Sequence, residues 1–133
     1  MKVHDSRIRE AGHRRARHIY SIENVHGLSD AEKARLKEVT KLYAFRANDY
    51  YLSLIDWNDP DDPIRRIVIP QEDELLPWGE LDASKESKIT VRRGVQHKYG
   101  TTVLLLVHEV CAAFCRYCFR KRLFMNHGEE VTY

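Results

Sequence analysis

The chain has 133 residues, of which 43 % are hydrophobic and 32 % charged, and its formal net charge is +2. This is the composition of a globular protein of about one domain, and it excludes a disordered or collagen-like chain. The near-neutral charge disfavours a nucleic-acid partner. Apolar runs such as Val103 to Val107 are far shorter than the roughly 18 residues of a membrane helix, so we expect no membrane partner.

The N-terminus is highly charged. The first 18 residues read MKVHDSRIREAGHRRARH and contain no apolar signal-peptide core. We therefore expect a cytoplasmic protein with reduced thiols. Charge is also segregated along the chain. Residues 1–18 carry six Lys/Arg against two acids, residues 56–86 carry ten acids against three Lys/Arg, and residues 116–122 are basic again.

Two helices are predicted in the first half of the chain. Ser29 and Glu32 match a capping box. Four apolar side chains then follow at helical spacing: Leu36, Val39, Leu42 and Tyr43. Asn48 is a plausible second cap, opening a short helix that runs to Ile55, and the stretch Asn58-Asp-Pro-Asp-Asp-Pro63 then marks a turn.

The pattern is less regular between this turn and the cysteines. Ile67-Val-Ile69 is β-branched but ends at Pro70, which predicts an extended segment rather than a central strand. Residues 72–76 are expected to form one helical turn. Residues 79–96 are predicted to be a polar linker with one extended piece, Ile89-Thr-Val91.

The apolar run 103–107 predicts a strand of a different kind. It is short and continuously apolar, as expected of a parallel strand that is buried on both faces. The cysteines follow it, on the loop that leaves the C-terminal end of the strand. In α/β folds this edge is where ligands bind.

All three cysteines lie within eight residues, as Cys111-Ala-Ala-Phe-Cys115-Arg-Tyr-Cys118. In a reducing compartment such a cluster indicates metal or redox chemistry. Closed zinc sites use four ligands, usually in two CxxC pairs, whereas three thiolates suit a four-iron cluster that keeps one iron open. The loop resembles that of radical S-adenosylmethionine enzymes, in which the cluster donates one electron to cleave S-adenosylmethionine. In that superfamily the aromatic residue before the third cysteine, here Tyr117, packs near the adenine.

Other interpretations of this region stay open. The cysteines and His108, His127 or His97 would make a Cys₃His zinc module, a non-enzymatic protein that binds nucleic acid through the basic stretches. A radical enzyme with another reaction is a further alternative. In the basic stretch at 116–122, Lys121 and Arg122 either form part of a solvated face or neutralise the charge of a cluster and of a cofactor anion. Arg120, two residues past the last cysteine, is the best candidate for a cofactor contact.

Four stretches of the chain match patterns of one enzyme family. They are FRANDYYLSLID at 45–56, DPIRRIVIP at 62–70, HKYGTTVLLLV at 97–107, and 111–124 with CRYCFRKR. Together they resemble the lysine 2,3-aminomutase family of radical S-adenosylmethionine enzymes, over roughly residues 40–133. The tryptophan-rich N-terminal segment typical of those enzymes is not found in residues 1–28, which leaves the identity of the substrate open.

The resemblance implies cofactors and their ligands. Cys111, Cys115 and Cys118 would hold a [4Fe–4S] cluster that binds S-adenosylmethionine. The family also uses pyridoxal 5′-phosphate, whose phosphate Lys98 would meet and on whose ring Tyr99 would pack. Lys98 stands where lysine-specific members commonly have arginine, and a lysine offers a point charge rather than a bidentate fork. The alternative for residues 97–99 is a polar turn leading into a strand.

The resemblance also implies an α/β fold. Residues 1–95 would be a helical N-terminal region with a polar linker, and residues 96–133 the first strand and cluster loop of an incomplete radical S-adenosylmethionine (β/α) barrel. We expect the N-terminal part of an amino acid 2,3-aminomutase that is not catalytically competent alone. The expected partners are an amino acid or protein lysine as substrate and a flavodoxin or ferredoxin as electron donor, with a homo-oligomer for the parent enzyme.

Overall fold

The computed structural model describes residues 15–108 and 110–125, which form three α-helices and two small antiparallel sheets. The helices are α1 (Asp30–Leu42), α2 (Asp49–Ser53) and α3 (Pro63–Val68). One sheet pairs β1 (His18–Ile19) with β2 (Ala47–Asn48). The other has the order β3 (Thr90–Arg92), β4 (Val95–Tyr99) and β5 (Thr102–Leu105). Short 3₁₀ turns lie at Ile22–Asn24, Glu72–Leu75, Glu86–Ile89 and Lys121–Phe124.

The two predicted helix caps are confirmed. The Ser29 hydroxyl accepts a hydrogen bond from the Glu32 amide at 3.3 Å, and the Glu32 carboxylate accepts one from the Ser29 amide at 2.9 Å. Asn48 caps α2 through Oδ1, which accepts from the Tyr51 amide at 2.8 Å. The second helix is shorter than predicted, because it ends at Ser53 rather than at Ile55. The turn predicted at 72–76 is also present, at Glu72–Leu75.

The extended segment predicted at 67–69 is wrong for its first two residues, which lie in α3. Asp62 caps this helix by accepting from the Arg65 amide at 2.7 Å, and Pro63 occupies its first turn. A cap followed by proline is a strong helix start, since proline has the helical φ and needs no amide partner there. This start outweighs the weak β preference of two branched side chains. Ile69 alone is extended, as the C-cap.

The strand predicted at 103–107 exists, but its predicted parallel pairing and burial are not what the described residues show. β5 ends at Leu105 and pairs antiparallel with β4; Val103, Leu104 and Leu105 are exposed, whereas Leu106, just past the strand, is buried. The reason is the connection, because only Gly100 and Thr101 separate the two strands. A two-residue link permits a hairpin, whereas a parallel pair needs a crossover of a dozen or more residues.

The same sheet confirms the extended piece predicted at Ile89-Thr-Val91 for Thr90 and Val91, which lie in β3, and corrects the rest of the predicted polar linker. Residues 79–96 contain a 3₁₀ turn, the whole of β3 and the start of β4. The residues 97–99 are therefore part of a strand and not of a turn before one.

The hydrophobic core lies in the helical region. Among the described residues, ten buried side chains form one cluster: Ile22, Val25, Leu28, Leu36, Phe45, Ala47, Ile55, Val68, Ile69 and Ala113. Nine of them come from residues 22–69, and the tenth lies between the first two cysteines. Leu36 therefore faces the core as predicted, while Leu42 of the same helix is exposed. Over the described ranges, no helix is both long and apolar enough to cross a membrane.

Candidate functional site

The loop that carries the cysteines is fastened to the helical region by its backbone. The Phe114 amide donates to the Arg46 carbonyl at 2.8 Å, and the Arg116 amide donates to the Ile67 carbonyl at 2.8 Å. The Asn48 side-chain amide donates to the Ala112 carbonyl at 3.0 Å, so that the cap of α2 also ties down the loop. Two segments of the helical region, residues 46–48 and α3, thus hold the part of the loop between the first and last cysteine.

Apolar side chains of the loop point inward and the thiols lie toward the surface. Ala113 and Phe114 are buried, whereas Cys111 and Cys115 are exposed and Cys118 is half-buried. Phe114 stacks on Phe124 with ring centroids 4.0 Å apart, and the Arg46 guanidinium lies 4.3 Å from the Phe114 ring centroid. The buried side chains of Ala113 and Phe114, here called the apolar plug, orient the loop so that its sulfur atoms are accessible.

All three cysteines are free, and their charges interact. The Cys118 amide donates to the Cys115 carbonyl at 3.0 Å, which closes a turn between them. Burial raises the pKa of the Cys115 thiol, and the neighbouring Cys111 and Cys118 raise it further. Three thiolates close together repel one another. A bound cationic centre removes this repulsion, and free thiolates are the soft ligands that iron–sulfur clusters take.

The described residues contain neither a preformed zinc site nor a preformed three-cysteine metal site. Within residues 15–108 and 110–125, no three His, Cys, Asp or Glu side chains converge closely enough to bind one metal ion. His108 instead uses Nδ1 to accept from the Val110 amide at 2.8 Å. His97 is exposed on β4, and the remaining candidate, His127, lies outside the described residues.

The predicted cofactor residues lie in three places. Arg120 lines a cavity of about 230 Å³ together with Cys111 and Cys118. Tyr117 is exposed and lines a neighbouring groove of about 420 Å³. Lys98 and Tyr99 are exposed at the end of β4, with the ammonium 5.7 Å from the ring centroid. The structure thus groups Arg120 with the cysteines and does not place Lys98 or Tyr99 in the lining described for that cavity.

The basic run after the second cysteine is not a solvated face. Arg116 is buried and binds Glu74 through Nε and Nη2 at 2.9 and 2.7 Å. Lys121 pairs with the same carboxylate and lies 4.0 Å from the Tyr43 ring centroid. Burial alone would raise the pKa of Glu74, but the hydrogen bonds from Arg116 and Lys121 outweigh it and lower that pKa.

Two further carboxylates, those of Asp82 and Glu86, form ion pairs with Arg120 and Arg122 of the same basic run. Arg120 binds Glu86 through Nε and Nη2, with 3.1 and 2.9 Å to Oε1. Arg122 is buried, with Nε 3.1 Å from Asp82 and Nη2 3.4 Å from Glu86. Burial would raise the pKa of Asp82, but hydrogen bonds from Ser87 and the charge of Arg122 lower it. The solvated-face interpretation of Lys121 and Arg122 is therefore wrong.

Sequence comparisons identify relatives of the chain, although no protein-family model matches it. It is 51 % identical over 119 residues to a protein of Aquifex aeolicus named "Putative L-lysine 2,3-aminomutase", covering 90 % of this chain and 32 % of that protein. It is 37 % identical over 97 residues to the L-lysine 2,3-aminomutase of Clostridium subterminale, covering 71 % and 23 %. It is 34 % identical over 107 residues to the glutamate 2,3-aminomutase of Clostridioides difficile, covering 80 % and 25 %.

The chain belongs to the lysine 2,3-aminomutase family. It spans between about a quarter and a third of the length of these curated relatives. Membership confirms the resemblance drawn from the four sequence stretches.

In this member of the lysine 2,3-aminomutase family, sequence reasoning did not find the acidic partners of the site. Glu74, Asp82 and Glu86 were recognised only as part of a net negative stretch. The signal was the opposite charge of residues 56–86 and 116–122, which the ion pairs now bring together. The second role of Asn48, as a donor to the cysteine loop, had no signal in the sequence beyond its cap position.

Proposed function

We propose that this chain carries the cluster-binding loop of a radical S-adenosylmethionine, pyridoxal-phosphate-dependent amino acid 2,3-aminomutase. Cys111, Cys115 and Cys118 bind the [4Fe–4S] cluster. The single observation that supports this assignment is the presence of three free thiols on one anchored loop of a lysine 2,3-aminomutase family member. Because the chain spans a quarter to a third of its relatives, the amino-group migration is proposed for the whole protein and cluster binding for this chain.

The chain's own residues contribute binding and orientation. The buried Ala113 and Phe114 fix the loop, and the cysteines present their sulfur atoms on its outer side. When bound, the cluster supplies the electron that cleaves S-adenosylmethionine. Arg120 lines the cavity beside Cys111 and Cys118 and would contact the carboxylate of S-adenosylmethionine while paired with Glu86, and Tyr117 would offer its exposed ring to the adenine.

Lys98 and Tyr99 are the proposed contacts of pyridoxal phosphate. An exposed ammonium beside an exposed aromatic ring fits a cofactor that combines a phosphate with a flat ring. The relatives' names include both lysine and glutamate 2,3-aminomutases, so the substrate class that we propose is an α-amino acid. A flavodoxin or ferredoxin is the proposed electron donor.

We also propose that β5 belongs to a larger barrel sheet in the whole protein. It lies at one edge of its sheet, and its apolar side chains are exposed. An apolar edge strand left uncovered is a template for pairing with further strands.

Anaerobic reconstitution with iron and sulfide tests the cluster assignment. The reduced chain is expected to show the electron paramagnetic resonance signal of one [4Fe–4S] cluster, and S-adenosylmethionine should change this signal. Replacing any one cysteine by alanine should abolish it, because each of the three thiolates is a required ligand.

The matched controls are the variants His97→Ala, His108→Ala and His127→Ala, each of which should leave the iron signal intact. A colourless chain that holds one zinc ion, and loses it in one of these histidine variants, would establish the zinc module instead.

A further inference from the structure

The carboxylates of Glu74 and Glu86 form ion pairs with two arginines that flank the third cysteine. Glu74 receives the Arg116 guanidinium, and Glu86 receives the Arg120 guanidinium, each through Nε and Nη2. Arg116 lies two residues before Cys118 and Arg120 two residues after it. The backbone on both sides of this one thiol is therefore held by a two-point ion pair.

These ion pairs are sheltered from water. The exposed fraction is 4 % for the Arg116 side chain and 16 % for Glu74, and it is 27 % for Arg120 and 8 % for Glu86, so the first pair is the better buried. Bidentate, charge-assisted hydrogen bonds have a defined geometry, and removing one partner of a buried pair leaves an uncompensated charge. The pairs thus differ from exposed ones, which contribute little.

Each carboxylate is itself oriented by its own turn. Glu74 Oε1 accepts from the Gln71 amide at 3.0 Å, at the start of the 3₁₀ turn Glu72–Leu75. Glu86 begins the turn Glu86–Ile89, where Asp82 accepts from the Glu86 amide at 2.8 Å. A local hydrogen bond thus holds the carboxylate of Glu74, and another holds the backbone of Glu86 through Asp82, which also pairs with Arg122.

We propose that Glu74 and Glu86 are positioning residues that set the place of Cys118 relative to Cys111 and Cys115. This inference rests on the proposed cluster function of the three cysteines. The apolar plug at residues 113–114 orients the first part of the loop, and the two ion pairs orient its last part. Lys121 and Arg122 strengthen the same two contacts.

The test compares Glu74→Gln and Glu86→Gln with the wild-type chain after anaerobic reconstitution. Glutamine has nearly the same shape but lacks the charge that holds the arginine, so Cys118 should move more freely. We expect a chelator to remove iron about tenfold faster from each variant, the lower end of the effect of changing residues that orient metal ligands. The signal of the remaining cluster should broaden as its third ligand becomes heterogeneous.

Two controls separate positioning from general stability. Glu72→Gln makes the same change on the same turn, in an exposed pair with Arg35, and should alter iron loss less than twofold. Val39→Ala shortens a fully buried side chain of α1 that takes part in neither ion pair, and so lowers the stability of the fold. At a temperature where it is folded, as judged by circular dichroism, it should lose iron at the wild-type rate.

The outcomes distinguish this inference from the proposed function. If the wild type binds no iron–sulfur cluster, the proposed function fails. If the wild type binds one and folded Glu74→Gln and Glu86→Gln variants lose iron at its rate, only the positioning role fails. Should Glu74→Gln not fold, Lys121→Met and Glu86→Gln decide the question, since Lys121→Met leaves the Arg116 pair in place and should give an intermediate rate.

Discussion

The helical region buries the apolar side chains that form the core, whereas the three-stranded sheet leaves several of its apolar side chains exposed. Residues 22–69 supply nine of the ten clustered core side chains, whereas the sheet exposes Val91 as well as residues 103–105. The helical region is therefore stabilised by its own packing, and the sheet by backbone pairing and its neighbouring ion pairs. The cysteine loop connects the two, since its first half packs on the core and its second half binds the turns around Glu74 and Glu86. Four predictions test this contrast.

The largest difference is expected between Phe45→Ala and Leu105→Ala. Phe45 is buried in the core, while Leu105 of β5 is 60 % exposed. The first substitution leaves a cavity and should lower the free energy of unfolding by about 3–5 kcal/mol. The second should lower it by less than about 0.5 kcal/mol, as for other surface changes. Urea denaturation measures both, and equal losses would contradict the contrast.

Two glycines provide a matched pair with a smaller effect. A Cβ added to Gly27 would lie 2.1 Å from the Trp57 ring, whereas one added to Gly100 would meet no atom within 4 Å. Gly27→Ala must displace the indole and should cost about 1–3 kcal/mol. Gly100→Ala should be neutral to within about 0.5 kcal/mol. Thermal unfolding is the measurement. A neutral Gly27→Ala variant would show that Trp57 does not pack tightly there.

Asn48 links the helical region to the cysteine loop, so substitutions of Asn48 test how strongly the two are joined. Its Oδ1 caps α2, and its Nδ2 binds the Ala112 carbonyl. Asn48→Ala loses both contacts and should cost about 1–2 kcal/mol. Asn48→Asp keeps the cap acceptor but loses the donor. Hydrogen exchange should therefore show the loop amide of Phe114 less protected in both variants, and the α2 amide of Tyr51 less protected in Asn48→Ala alone.

The smallest expected effect is on the pH dependence of the free energy of unfolding, through the capping box of α1. Hydrogen bonds from Ser29, followed by that of Arg65, lower the pKa of Glu32 to about 2 from the ordinary 4.5. A lowered carboxyl pKa stabilises the fold fully above pH 4.5, and this stabilisation is lost as the pH falls toward 2. We expect a contribution of about 1 kcal/mol, the usual size for a cap.

The Glu32→Gln variant isolates this contribution. Glutamine retains the capping-box geometry but does not titrate, so urea denaturation between pH 6 and pH 3 should show a shallower loss of stability. Part of the slope will persist, because the pKa values of Asp62, Glu74 and Asp82 are also lowered. An unchanged slope would mean that Glu32 titrates alike in the folded and unfolded chain.

Features that depend on near neighbours were predictable. The caps at Ser29 and Asn48 each involve residues three positions apart, and the single turn near residue 72 is equally local. The errors also have local causes. At 67–69 the β-branched side chains received more weight than the cap and proline before them. At 103–107 the apolar run received more weight than the two-residue link to β4.

By itself, the sequence determined the starts of α1 and α2, the spacing of the three cysteines and the family to which the chain belongs. Only the tertiary structure decided that β5 is exposed in a hairpin, that Ala113 enters the core, and that Glu74 and Glu86 bind the chain around Cys118. The physical reason is separation along the chain. A cap is selected within one helical turn, whereas the residues of the Glu74–Arg116 pair are 42 positions apart. Such a pair forms only after packing has brought two turns together, and among many acids and bases the sequence does not reveal which will meet.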